Sequence, residues 1–313
     1  MNAFDIYTDS AANIPDELLA RHDIRMIPYT CTVNGVERLT YDKDRPFREC
    51  AKEFYTELRA GAEIKTSLVS ETTFINAIEP SLAAGKDVLV VTITESLSGT
   101  ARQANVAREA LLERYPDRKI FVIDSCNASM GEGLLALKAA DLREMGESVE
   151  ACAEWIENNR YKLNSYVTVD DLKYLRKSGR VSMVKAIAGA ILGIKPILHA
   201  DGETPARLTF FDKEKGRKKA LSALLKYFDE NVIDPAGQTL AITHADCEEE
   251  ALELRDKLLE RGAREVIIEF YDLCTGSHVG PGTIALFFMG KDRRDPAPEG
   301  KPLRAGARVP VHY

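Results

Sequence analysis

Hydroxyl groups recur in this chain in four loops that adjoin strands or helices: Asp9-Ser10, Thr66-Ser67-Leu68-Val69-Ser70, Ser96-Leu97-Ser98-Gly99-Thr100 and Asp124-Ser125. Taken singly, each reads as a helix N-cap, in which a Ser or Thr oxygen accepts an orphan amide of the first turn. Taken together they describe a binding site. Hydroxyl donors and free amides that converge at helix N-termini hold a small anion such as a carboxylate or a phosphate. Gly99 adds to this, because a residue without a Cβ lets backbone amides approach a ligand closely.

Two further segments carry chemistry. Asp170 to Ser182 (DDLKYLRKSGRVS) reads as a short amphipathic helix closed by Gly179, with Lys173, Arg176, Lys177 and Arg180 forming a basic cluster inside an acidic protein. Such a cluster is commonly a solvated surface. As a functional element it would meet an anionic ligand or an acidic partner, and Arg180, just after the helix-ending glycine, is the cation placed to point inward. Gly276-Ser277-His278-Val279-Gly280-Pro281-Gly282 surrounds one histidine with three glycines and a proline. That fixes the backbone at a conformational cost a plain connection would not need. His278 is therefore the candidate imidazole, whereas His22, His199, His244 and His312 read as packing or surface residues.

Enzyme signatures are weak by comparison. A nucleophile elbow needs G-x-S-x-G, and Ser98 is flanked two residues away by Ser96 and Thr100. Gly131-Glu132-Gly133-Leu134-Leu135-Ala136 fits a permissive dinucleotide pattern but begins too late after its strand and lacks the later acidic residue. There is no G-x-x-x-x-G-K-[ST]. His244-Ala245-Asp246-Cys247 lacks further metal ligands, and its Asp246 reads as a helix cap. The six cysteines contain no C-x-x-C pair, which in a cytoplasmic protein indicates isolated thiols rather than disulfides or a zinc site. Neither a metal nor a cofactor is expected.

The elements that must position these residues follow from periodicity. Phe4 to Thr8, Arg25 to Val33, Lys86 to Thr94 and Arg118 to Asp124 read as strands, and Ile14 to Arg21, Phe47 to Ala60, Ala101 to Tyr115, Gly131 to Glu144 and Ala151 to Asn158 as helices. This alternation predicts a parallel sheet flanked by helices. Beyond a boundary near residue 162 the pattern changes: Tyr166 to Val169, Pro196 to Ala200 and Ala206 to Phe211 suggest a mixed sheet. It is completed by strands Thr239 to Thr243, Glu265 to Tyr271 and Ile284 to Phe288 around a helix from Glu248 to Arg261. The fold class expected is α/β, with an N-terminal domain over 1–162, a C-terminal domain over 163–291 and a mobile tail over 292–313; 313 residues suit two domains. A net charge of −7 and an isoelectric point near 5.5 disfavour nucleic acid and allow at most transient contact with an anionic membrane. The start lacks the basic and apolar regions of an export signal, so a cytoplasmic location is expected. The apolar stretch Ala186 to Leu198 is too short to span a bilayer and reads as a buried element.

In this order the motifs resemble the DegV family of bacterial fatty-acid-binding proteins, the FakB type. The likeness runs through Asp9-Ser10, TSLVS (66–70), SLSGT (96–100), Asp124-Ser125, DDLKYLRKSGRVS (170–182), Lys195-Pro196-Ile197-Leu198 and SHVGPG (277–282), about residues 1–291. It departs at Leu68-Val69, where the family often has Gln-Pro, and at Ser178, where Gly is more usual. The resemblance implies two α/β domains with one long-chain fatty acid between them. It implies that Thr66 and Ser98, with Gly99 and His278, hold the carboxylate, and that Arg180 and Ser125 contact the head group or a partner. It further implies a non-catalytic carrier that presents the acid to a separate ATP-dependent fatty acid kinase, which makes an acyl phosphate for phospholipid synthesis. Two other readings stand beside it: a hydrolase or transferase acting on a small anionic substrate through Ser98 and His278, and a lipid-sensing regulatory module without a kinase.

Overall fold

The computed structural model describes residues 4–181, 193–203 and 205–295. Its N-terminal domain is built on a parallel sheet of β1 (Phe4–Asp9), β2 (Ile24–Ile27), β6 (Asp87–Thr92) and β7 (Ile120–Asp124), in the order β2-β1-β6-β7. Helices α1 (Asp16–Arg21), α3 (Glu71–Ala83), α4 (Thr100–Arg114), α5 (Met130–Glu144) and α6 (Val149–Asn159) connect and cover these strands. With helices on both faces, β1 and β6 are buried along almost their whole length, which is why they read as unbroken apolar runs. At the carboxyl ends of β1 and β7 two aspartates tie the loops together. Asp9 accepts from the amide of Ile93 at 3.0 Å, and Asp124 accepts from Glu95 at 3.0 Å and Cys126 at 2.7 Å.

The single strand expected from Arg25 to Val33 is two strands in different sheets. Pro28 has no amide to donate to a ladder, so the run breaks there. Its second half, β3 (Thr30–Val33), joins β4 (Val36–Leu39) and β5 (Ile64–Thr66) in a small antiparallel sheet, order β4-β3-β5, that the sequence reading did not foresee. Helix α2 (Phe47–Arg59) lies between β4 and β5 in the chain and buries Phe54 and Tyr55.

The C-terminal domain is a mixed six-stranded sheet in the order β10-β9-β8-β13-β11-β12. Its strands are β8 (Leu163–Thr168), β9 (Ile194–Ala200), β10 (Leu208–Lys215), β11 (Thr239–His244), β12 (Glu265–Phe270) and β13 (Ile284–Met289). Its helices are α7 (Leu172–Ser178), α8 (Arg217–Asn231), α9 (Glu248–Leu259) and α10 (Leu273–Val279). Strand alternation divides two cores. Tyr166 of β8 packs with Phe228 and Phe288 under α8 and α9, while its neighbour Val167 faces the other way with Ala285, Phe287 and residues of α5. Helix α5 contacts strands of both large sheets, so it is buried nearly all round and built from small residues, Gly131, Gly133, Ala136, Ala139 and Ala140. A Cβ on Gly133 would stand 2.5 Å from the carbonyl of Ala12, which explains the glycines of the dinucleotide-like pattern by packing.

Two sequence expectations need correction. Asp246 does not cap α9: Cys247 occupies that position without a side-chain bond, and Asp246 instead pairs with Arg59 at 2.8 Å. Within the segment Gly276 to Gly282, α10 runs through His278 to Val279. The tail is not mobile from residue 292: Arg293 is buried, and its guanidinium donates to the carbonyls of Asp201 at 2.7 Å, Cys126 at 3.0 Å and Arg160 at 3.1 Å. Residues 296–313, with His312, and the first part of the apolar Ala186 to Leu198 stretch lie outside the described residues.

Candidate functional site

Where the loops of the parallel sheet meet the inner face of the mixed sheet there is a cavity of about 320 Å³. Its apolar walls come from Ile93, Leu97 and Ala128 on one side and Val167, Leu208 and Phe287 on the other. Thr66, Ser98, Gly99, Arg180 and His278, of which the first and last are 212 positions apart in the chain, all line it. An apolar cleft between domains with a few convergent polar groups is the usual form of a small-molecule site.

Each polar group is set by a specific element. Thr66 ends β5, paired with Cys31 of β3. His278 sits in the last turn of α10, and its Nε2 lies 3.1 Å from the Thr66 hydroxyl. Asp272 caps that helix, accepting from Cys274 at 2.7 Å and Thr275 at 3.2 Å, and is itself held by the Asn13 amide at 3.2 Å. Ser98 stands 2.8 Å from the hydroxyl of Thr100, the first residue of α4. Thr100 already accepts from the Tyr29 hydroxyl at 2.9 Å and from the Val69 amide at 3.4 Å. A hydroxyl oxygen has two acceptor sites, so the Thr100 proton goes to Ser98, and the Ser98 proton is left to point at a ligand.

Gly99 has an ordinary backbone conformation, and a Cβ there would meet only Leu68 at 3.4 Å. Neither strain nor protein packing demands glycine at this position. Arg180 donates to the Ser178 carbonyl at 2.6 Å and stands at the rim, shared with an outer groove of about 540 Å³. That groove also carries Arg59, Lys65, Lys173 and Lys177, and it meets the cavity at Thr66 and His278. Ser178, in place of the usual glycine, is buried and bonds the Leu175 carbonyl at 3.0 Å, so it closes α7 on itself.

Ser125 and the Asp9-Ser10 pair do not line the cavity. Ser125 is fully buried and donates to the Asn127 carbonyl at 3.1 Å, closing a turn whose other members, Cys126 to Ser129, do reach the wall. Ser10 bonds Thr40 at 2.6 Å behind the site. Tyr29, Thr100 and Asp272 were not singled out in the sequence, although Thr100 closes SLSGT and Asp272 opens α10. Among the described residues Ser98 and His278 are not hydrogen-bonded to each other, so the nucleophile and base pair that a hydrolase needs is not made in this arrangement.

Burial mutes the charges of the groups around the site. Burial, with the Arg180 guanidinium nearby, brings the His278 imidazole down to about 4. Burial also pushes Glu132 well above the usual carboxylate range and Asp9 up to about 7, the charges of neighbouring acids adding to the rise. Negative charge behind the site is thereby reduced. The lowered His278 value means the fold favours the neutral ring: that contribution to stability is complete above about 6.5 and is lost as pH falls from there toward 4. Titration of the ligand-free protein by NMR is expected to place His278 near 4, and a midpoint near 6.5 would contradict its burial.

Comparison with known proteins agrees with this architecture. The model of the DegV family, a family of uncharacterised proteins, matches residues 3–291. A DegV domain-containing protein of Clostridium perfringens is 36% identical over 297 residues, covering 95% of this chain and 100% of the relative. A DegV family protein of Thermus thermophilus, described by its fatty acid binding, superposes with a TM-score of 0.79 at 27% identity, covering 91% of this chain and 98% of that one. A Thermotoga maritima protein described as revealing a fatty acid binding function gives 0.77 at 27% identity, with 92% and 99% covered. Among the described residues no helix is long and apolar enough to cross a membrane. By fold and by sequence along nearly its whole length, this chain belongs to the DegV family.

Proposed function

We propose that this protein is a cytoplasmic fatty-acid carrier that holds one long-chain acid by its carboxylate and presents it to a separate ATP-dependent kinase. The observation that carries this is the pairing of an apolar cavity with hydroxyl and imidazole groups gathered at its rim. Each buried methylene contributes about 0.8 kcal/mol, so the walls supply affinity and the rim selects the head group. A carboxylate buried without partners would be very costly. Here Ser98 donates its free proton, His278 in the Nε2–H form donates to Thr66, and Thr66 passes its own proton to the anion. Gly99 leaves the head of α4 open to the same oxygen atoms. The fatty-acid binding of the Thermus and Thermotoga relatives supports this assignment.

In this role the chain contributes no catalytic residue and needs no cofactor beyond the bound acid. The division between domains is placed at residue 162, just before β8, where the parallel sheet's last helix ends and the mixed sheet begins. Native mass spectrometry of the purified protein, followed by denaturing extraction, tests the carrier role. One fatty-acid mass per chain is expected, and a protein that is empty and refuses added acid would sink it.

The kinase is proposed to dock on the basic outer groove, with acyl phosphate passing on to phospholipid synthesis. Lys173 pairs with Asp171 at 3.0 Å and Lys65 with Glu63 at 3.2 Å, but exposed pairs of this kind contribute little and exchange readily for a partner's acids. Reversing Lys173, Arg176 and Lys177 together to Glu is expected to abolish kinase-dependent acyl phosphate formation while fatty-acid occupancy stays at one per chain. Unchanged turnover would place the docking surface elsewhere.

A further inference from the structure

The apolar wall of the cavity carries a hydroxyl that the protein does not use. Ser165 lies in β8 opposite Phe287 of β13, and it faces the cavity together with Val167, two residues along the same strand. The β8–β9 register pairs Tyr166 with His199, so one step further sets Ala200 beside Ser165 on the other flank. Neither a phenyl ring nor a methyl group can accept its proton. Ser165 is 3% exposed, its backbone carbonyl faces His199 Nδ1 at 2.8 Å, and among the described residues its hydroxyl has no hydrogen-bond partner. The surface it keeps is that of the cavity, which it lines. Other hydroxyls of the same wall are satisfied within the protein: Thr94 donates to the Ala206 carbonyl at 2.9 Å and Ser129 to Asn13 at 2.6 Å.

A lone hydroxyl in an otherwise apolar stretch disfavours a plain hydrocarbon chain, because the chain displaces water without replacing its hydrogen bond. It favours a chain that brings an oxygen to the same place. The strand rise sets Ser165 roughly 7 Å from Val167 along β8, and Ser165 lines only the inner cavity, whereas Thr66, Arg180 and His278 also line the outer groove at the rim where the carboxylate is held. We propose that Ser165 is a specificity residue that selects fatty acids bearing a hydroxyl in the middle of the acyl chain. This rests on the carrier role and adds the class of acid carried. No covalent step is involved, and the ligand hydroxyl and Ser165 Oγ share one hydrogen bond in which either oxygen donates.

The test is direct binding of three acids of one length to the delipidated full chain: octadecanoic acid, its mid-chain monohydroxy derivative and its β-hydroxy derivative. The mid-chain hydroxy acid is expected to bind about tenfold more tightly than octadecanoic acid, as one net hydrogen bond allows. The β-hydroxy acid should gain nothing. In Ser165→Ala the tenfold ratio should fall to about one, and Ser165→Val serves as a second variant should the first fail to fold. Equal affinities in the unaltered protein, a ratio that persists in both variants, or an equal gain for the β-hydroxy acid would each overturn the proposal. Failure to bind any of the three would overturn the carrier role, and this selection with it, whereas tight but undiscriminating binding would remove only the selection.

Discussion

A Thr66→Ala/Ser98→Ala double variant is expected to emerge from purification without bound fatty acid and to bind added acid roughly 10²- to 10⁴-fold more weakly. The magnitude follows from the chemistry of the rim. Hydrogen bonds to a charged group are worth about 1.5–3 kcal/mol each, so losing two removes about 3–6 kcal/mol. The two sites fail for different reasons. Without Ser98 the Thr100 proton loses its acceptor and the Tyr29-Thr100 relay ends short of the cavity. Without Thr66 the His278 ring loses its partner, and at its lowered pKa it offers no positive charge to compensate. Both residues line an open cavity rather than the packed core, so the melting temperature should move little. Native mass spectrometry reads the occupancy and calorimetric titration the affinity. A double variant that retains one acid per chain would remove the carboxylate from this corner of the cavity.

How far the site could be read in advance depends on which forces placed each residue. The loops carrying Thr66 and Ser98 were legible, because ligand sites of α/β sheets gather at the carboxyl ends of strands and these loops are rich in hydroxyls. Ser125 shows the limit of that logic. It follows β7 in an Asp-Ser pair like that after β1, and neither serine reaches the cavity that Ser98 lines: Ser10 bonds Thr40, and next to the left-handed Cys126, with φ of 51°, Ser125 bonds inward. No local pattern distinguishes the two outcomes. The Tyr29-Thr100-Ser98 relay was equally hidden, since it joins residues 71 positions apart whose order of donation depends on tertiary contacts.

Elements were missed for reasons of length and of competing pattern. Strand β5 has only three residues, too few to show a period, although it carries Thr66. Helix α8 was there to be found: Leu221, Leu224, Leu225 and Phe228 repeat at helical spacing. The charged run from Lys213 to Lys219 that opens it masked the change from strand to helix. The buried runs of β1, β6 and β7 and the helices between them were recognisable because burial on both faces leaves little choice of residue. Glu132 is the opposite case. Its pattern is that of a surface helix acid, but α5 lies between two sheets, so the carboxyl is buried against Thr8 at 2.7 Å.

The second large effect concerns the joint between α7 and α10, which sets Arg180 and His278 at a common rim. Gly280 follows α10 with φ of 82° and ψ of 163°, a region essentially confined to glycine. A Cβ at that position would stand 2.1 Å from Cδ2 of Tyr174 on α7. Gly280→Ala must therefore bear both backbone strain and displacement of a ring, about 3–5 kcal/mol together, or a fall in melting temperature of roughly 6–20 °C. Gly35 is a comparison without the clash. Its φ is 84° but a Cβ there would meet nothing within 4 Å, so Gly35→Ala reports strain alone. A Gly280→Ala variant should unfold well below Gly35→Ala, and adding Tyr174→Ala should recover part of the difference. Pushing the helices apart also moves Arg180 from His278, so the histidine in the folded Gly280→Ala protein should titrate closer to 6.5 than the value of about 4 that burial and that cation impose. Equal stability of the two glycine variants, with an unmoved His278 titration, would show that the Tyr174 contact does not hold the rim together.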